Sequence, residues 1–227
     1  MQQIAKIFSS SVGRKIMMAL TGMLLAGFVT IHLLGNLSIF AGSAALNAYA
    51  AQLAGLGPLV WVFRLGLLAL FVLHIYLGIQ LTMENRAAKP EGYAVNKTLR
   101  TSFAAKTMIV TGVVLLAFVI YHLFHFTFQT INPEFAAKAN MSAKGLPDVF
   151  SMVIHGFQSI GATGLYVIGM VALLLHLTHG IASSFQSLGL NNGKTQEGVE
   201  KIGKGVAALF FLGYVAIPVL IFVGLVH

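Results

Sequence analysis

Apolar residues run through this chain in five long windows, near 16–39, 58–83, 107–129, 164–188 and 204–226, and polar residues gather in the connections. Each window can cross a hydrocarbon core of about 30 Å, which takes about 20 helical residues. None alternates apolar and polar positions as a barrel strand does, and in lipid only the helix otherwise satisfies its own backbone. The pattern predicts an all-α membrane protein: five transmembrane helices forming one domain over residues 1–227. Pro147 and the amphipathic run Val149 to Phe157 predict a short interfacial helix before the fourth window. The five windows read as distinct sequences, with no internal repeat and no low-complexity tract.

Composition sharpens this picture. Hydrophobic residues make up 57% of the chain and charged residues 9%, with a mean hydropathy of +0.86, far from a soluble domain. The formal charge of +8 is laid out as a topology signal rather than a nucleic-acid surface. Lys6, Arg14 and Lys15 precede the first window, Arg86, Lys89, Lys97, Arg100 and Lys106 fill the second connection, and Lys194, Lys201 and Lys204 fill the fourth. Those are 11 of the 14 Lys and Arg residues, against Lys138 and Lys144 opposite and Arg64 in or at the rim of the second window. A cytoplasmic N-terminus in a bacterial inner membrane is the expectation. The start, MQQIAKIFSSSVGRK, lacks the small-residue cleavage site of a signal peptide, so it reads as retained, with residues 2–12 along the interface. Cysteine is absent, which excludes covalently attached c-type haem, thiolate-held iron–sulfur clusters and disulfides.

Histidines inside the windows carry the candidate chemistry, because an imidazole in hydrocarbon is costly unless paired or bound. Counted from the Lys and Arg side, His32 lies 17 residues or about 26 Å along its helix, and His122 lies 16 residues or about 24 Å along its own. His74 and His179 each lie 9 residues, about 14 Å, from the inner ends of their helices. Two depth-matched pairs follow, His32 with His122 and His74 with His179, about 10 Å apart in level. Facing imidazoles at one depth are what bis-histidine ligation of haem iron requires. Gly35, Gly78 and Gly180 beside them would leave room for a flat macrocycle. His176, one turn from His179, reads either as a neighbour of the ligand or as the ligand itself. His125 lies nearer the outer rim, where water, a propionate or a quinone head group could meet it. His155 and His227 read as solvated, and Asn47, Tyr49 and Gln52 as ordinary residues of an outer loop.

The stretches MALTGMLLAGFVTIHLLGNL, FVLHIYLGIQL, FVIYHLFHFTF and LLLHLTHGIASSFQSLG resemble the single-subunit, two-haem cytochrome b anchor of succinate:quinone oxidoreductases, the succinate dehydrogenase and fumarate reductase complexes. The resemblance spans nearly the whole chain, and its most specific feature is four histidine-bearing helices followed by a fifth without one. It implies a proximal haem b held by His74 and His179 and a distal haem b held by His32 and His122. It also implies docking to flavoprotein and iron–sulfur subunits on the cytoplasmic face, exchange with a quinone, typically menaquinone, and a possible dimer of complexes. Dicarboxylate chemistry would belong to the partners, so the anchor would be the quinone-reactive electron-transfer subunit. Two features depart from some fumarate-reducing members: Leu177 stands two residues before His179, where they carry a glutamate, and the first outer connection has no acid. Two other readings remain open from sequence: the cytochrome b subunit of a hydrogenase or formate dehydrogenase, and a transporter whose histidines bind a metal ion or pass protons.

Overall fold

A computed structural model describes residues 10–88, 102–137, 140, 141, 145 and 147–227. Helix α1 (Ser11–Asn36) begins where the Ser10 hydroxyl accepts from the Gly13 amide at 3.0 Å, satisfying one of the amides a helix start leaves unpaired. It tightens into a 3-10 turn, Leu37–Ala41, and the chain reverses at Gly42, whose φ of 91° suits a residue without a side chain. Helix α2 (Ser43–Gly55) follows, where sequence suggested a loop. Next come α3 (Leu59–Ala87), the single turn α4 (Phe103–Lys106) and α5 (Met108–His122). α5 widens into a π turn over Leu123–Thr127. After a 3-10 turn at Pro133–Phe135 come α6 (Val149–Phe157), α7 (Ile160–Ser187) and α8 (Gln196–Phe222).

Five stretches are long and apolar enough to cross a membrane: Ser11–Ala41, Leu59–Ala87, Met108–Thr127, Ile160–Ser187 and Gln196–Phe222. They coincide with the five windows expected from sequence, and the fold is all-α. The spans expose large apolar side chains, as lipid contact demands; on α3, Trp61, Phe63, Leu65, Leu68 and Val72 are all exposed and only Leu77 is buried. Lys6, Lys89, Lys97, Arg100, Lys138 and Lys144, six of the charges behind the expected orientation, lie outside the described residues. So does most of the segment 2–12.

Helix α7 is central, packing against α8, α1 and α5, while α3 leans on α1. One cluster joins Leu33, Leu177, Ala207 and Phe210. A second, at the other end of the bundle, gathers Ile39, Leu46, Met152, Phe157, Tyr166 and Ile217 around the short helix α6. The expected interfacial helix thus lies against the bundle with Met152, Val153, Ile154, Gly156 and Phe157 buried. Polar struts pin both ends. Arg14 at the start of α1 donates to Glu84 at the end of α3 at 3.0 Å, so these spans run antiparallel. At the far end Asn47, buried on α2, donates to Asp148 at 3.0 Å and accepts from the Phe150 amide at 2.9 Å. Asn47 is therefore a strut between helices rather than an ordinary loop residue.

Candidate functional site

Two imidazole pairs sit inside the bundle at different levels. His32 of α1 and His122 of α5 have ring centres 5.8 Å apart with planes at 86°. His74 of α3 and His176 of α7 have ring centres 6.3 Å apart with planes at 62°. Neither pair is stacked face to face. A metal–imidazole bond is about 2.0 Å long, so two imidazoles on opposite sides of one ion have ring centres about 6 Å apart. Both pairs meet that spacing.

In the second pair each ring turns its Nδ1 toward a threonine hydroxyl. The Thr21 hydroxyl donates to the carbonyls of Met17 and Met18 at 2.9 and 3.1 Å, and its oxygen lies 3.1 Å from His74 Nδ1. With the one hydroxyl proton on a carbonyl, the Thr21 oxygen accepts from His74 Nδ1–H. The ring proton is then on Nδ1 and the lone pair on Nε2. Thr111 repeats the arrangement, donating to the Met108 carbonyl at 3.0 Å with its oxygen 3.1 Å from His176 Nδ1. Metal-binding histidines are commonly oriented in this way, through the nitrogen that does not bind. Both threonines are buried.

These contacts expose a repeat that the windows conceal. Thr21-Gly22 precedes His32 by the same spacing at which Thr111-Gly112 precedes His122, and TGMLLAGFVTIH aligns with TGVVLLAFVIYH without a gap. His74 stands four residues before Gly78-Ile79, as His176 does before Gly180-Ile181. The equivalence holds in space. A Cβ on Gly22 would lie 3.1 Å from the His74 ring, and one on Gly112 would lie 3.7 Å from the His176 ring. Phe28 stacks on His32 at 5.4 Å, and Phe118 on His122 at 6.0 Å. Thr82 and Ser184 donate to the carbonyls of Gly78 and Gly180. Helices α1 and α3 thus match α5 and α7 as two halves around the imidazoles. Eleven residues separate each threonine from the histidine on its own helix, which sets the two levels about 16 Å apart.

Of the expected pairs, His32 and His122 come together. Opposite His74 stands His176; His179 lies one turn further on, within electrostatic reach of Glu200 on α8. The reason is helix length: α3 continues to Ala87, so His74 is 13 residues, about 20 Å, from its end, not 9. That depth matches His176, 11 residues from the end of α7. In the repeat His179 falls where the first half has Leu77, and His125 falls where it has Gly35.

No family model, curated protein or solved structure matches this chain.

Other candidates take different places. Gly35 admits Tyr49 of α2, whose ring would collide with any side chain there, and Gly180 faces open space. The glycines beside the paired rings are Gly22 and Gly112 instead. Arg64 lies on the exposed start of α3 over the Trp61 ring at 5.1 Å. His155 stacks on Phe135 at 4.1 Å, at the edge of a cavity of about 350 Å³ that Glu134, Asp148 and Ser151 also line. His125 is 3% exposed, and His227 is exposed. Among the described residues no group of three or more His, Cys, Asp or Glu converges to cage a bare ion; what they present is pairs. Sequence reading passed over Thr21, Thr111 and Tyr166, although the doubled Thr-Gly spacing before His32 and His122 was there to find.

Proposed function

We propose that the chain is a di-haem b membrane anchor that relays electrons between a cytoplasmic iron–sulfur partner and membrane quinone, as in a succinate:quinone oxidoreductase. The observation that carries this reading is the pair of imidazole couples, each with ring centres about 6 Å apart and, at one level, with both Nδ1 atoms 3.1 Å from threonine hydroxyls. A pair is the complement that a macrocycle with four nitrogens of its own needs, and it is too few for a bare ion. His32 and His122 hold one haem in this reading, and His74 and His176 hold the other, with His176 taking the place expected for His179. Bound haem supplies the one-electron chemistry. The chain's own residues do the rest: Thr21 and Thr111 orient the rings, Gly22 and Gly112 leave space beside them, and the apolar walls exclude water and thereby tune the potentials.

The link to quinone and the dependence on flavoprotein and iron–sulfur partners rest on the sequence resemblance. The test is purification from membranes with whatever co-purifies, followed by haem quantitation and dithionite-reduced spectra. A preparation with two b haems per chain and associated flavin and iron–sulfur subunits supports the reading. A colourless preparation refutes it, and a haem-loaded chain accompanied by hydrogenase or formate dehydrogenase subunits refutes the choice of complex.

A further inference from the structure

Beside the His32–His122 pair a third imidazole is tied to the second through a phenol. The Tyr166 hydroxyl lies 3.0 Å from His122 Nδ1 and 3.3 Å from His125 Nδ1. Tyr166 is 7% exposed and His125 is 3% exposed. A hydroxyl has one proton to give, so the direction of this three-group chain decides the state of both rings.

If the phenol donates to His122, that ring must carry its proton on Nε2, the nitrogen left for a metal, and it cannot bind one. If the phenol donates to His125, the Tyr166 oxygen accepts from His122 Nδ1–H, and Nε2 of His122 keeps its lone pair. At the other level Thr21 and Thr111 have carbonyls of their own helices to take their protons. Tyr166 has no such carbonyl partner among the described residues, so its proton goes to one ring or the other, and ligation through His122 Nε2 requires that His125 take it. Once His125 Nδ1 accepts, its own proton sits on Nε2, which is buried and has no hydrogen-bond partner in the structure. An unsatisfied buried donor costs about 1–3 kcal/mol, and this one is retained where α5 opens into a π turn, a distortion frequent at functional sites. In the repeat, the equivalents of His125 and Tyr166 are Gly35 and Arg64, so the device belongs to one half alone.

We propose that His125 is a positioning residue: by accepting the Tyr166 proton it makes that phenol a pure acceptor and holds His122 in the one tautomer able to ligate metal through Nε2. The direction of this chain rests on the haem reading above, and the tautomer measurement reads it in protein without haem.

The experiment takes the full-length protein in detergent, labelled with 15N-histidine. In haem-free protein the His122 ring proton is expected on Nδ1. In His125→Phe it moves to Nε2, and in His125→Gln, whose amide oxygen accepts from the phenol, it stays on Nδ1. On haem titration, His125→Phe is expected to weaken one of the two sites about 10–100-fold, and adding Tyr166→Phe, which removes the competing proton, recovers much of that loss. A merely structural role makes the double variant worse than either single one. An unchanged His122 tautomer in His125→Phe, a shifted one in folded His125→Gln, or a double variant weaker than His125→Phe overturns the proposal. A wild-type protein that takes up no haem overturns the functional reading, while the tautomer measurement still decides this one.

Discussion

Replacing Thr21 by valine removes one oxygen and almost no volume, so it isolates what the hydroxyl does for His74. Thr21 is 4% exposed and its oxygen is 3.1 Å from His74 Nδ1. In the variant the ring keeps only its hydrogen bond with the Met18 backbone, and it can turn or change tautomer. Loss of such an orienting partner typically weakens a metal site about 10–100-fold, which is about 1.4–2.8 kcal/mol. The cost of an unsatisfied buried donor, about 1–3 kcal/mol, is of the same size. Thr111→Val does the same to His176. Haem titration followed at the Soret band should therefore show one of two sites weakened 10–100-fold in either variant, the other unchanged, and Thr21→Ser near wild type. The double variant should weaken the same single site further, because both threonines serve one pair. Wild-type affinity in both single variants, or loss at the site of His32 and His122, would refute the reasoning.

Other expectations follow from the same geometry. His179→Ala should retain both haems, since His176 faces His74, and absorbance-based haem quantitation checks this. Gly169→Ala should lower the detergent melting temperature, because the new methyl would meet the Phe118 ring at 2.5–2.9 Å; overpacking of this kind costs about 1–3 kcal/mol. At Asp148 burial tends to raise the carboxyl pKa, but hydrogen bonds from Ser151 and Asn47 outweigh it and hold the pKa below its ordinary value. A carboxyl depressed in the folded state contributes stability above its unfolded pKa of about 3.9 and loses it as pH falls through the folded value. Melting temperature should therefore drop on acidification below about pH 4 more steeply in wild type than in Asp148→Asn, and equal slopes would contradict the assignment.

Much of the fold was legible because a bilayer leaves a sequence few options. Each of the five spans needed only a long apolar run, and the charge-poor composition gave no competing signal. What escaped was set by polar details at the ends and inside. α3 continues four residues past Met83 through Glu84, Asn85 and Arg86, because Arg14 holds Glu84 against α1; hydropathy stops where that ion pair begins. The shortened helix put His74 too near its end and matched it to His179, although the repeated His-x-x-x-Gly-Ile at His74 and His176 pointed elsewhere. The connection 40–57 hid α2, whose Tyr49 packs into the notch at Gly35 and whose Asn47 is buried. Thr21 and Thr111 looked like polar residues returning a bond to the preceding turn, which they also do. Only their second contact, across to another helix, reveals their part in the site.

The most direct measurement is haem stoichiometry by the pyridine haemochrome method on purified wild type and four single variants. The account expects two haems per chain in wild type and one in each of His32→Ala, His122→Ala, His74→Ala and His176→Ala. In native dithionite-reduced spectra the first two variants should share one residual spectrum and the last two the other. One haem per saturated wild-type chain, or two haems retained in any of the four variants, would contradict it.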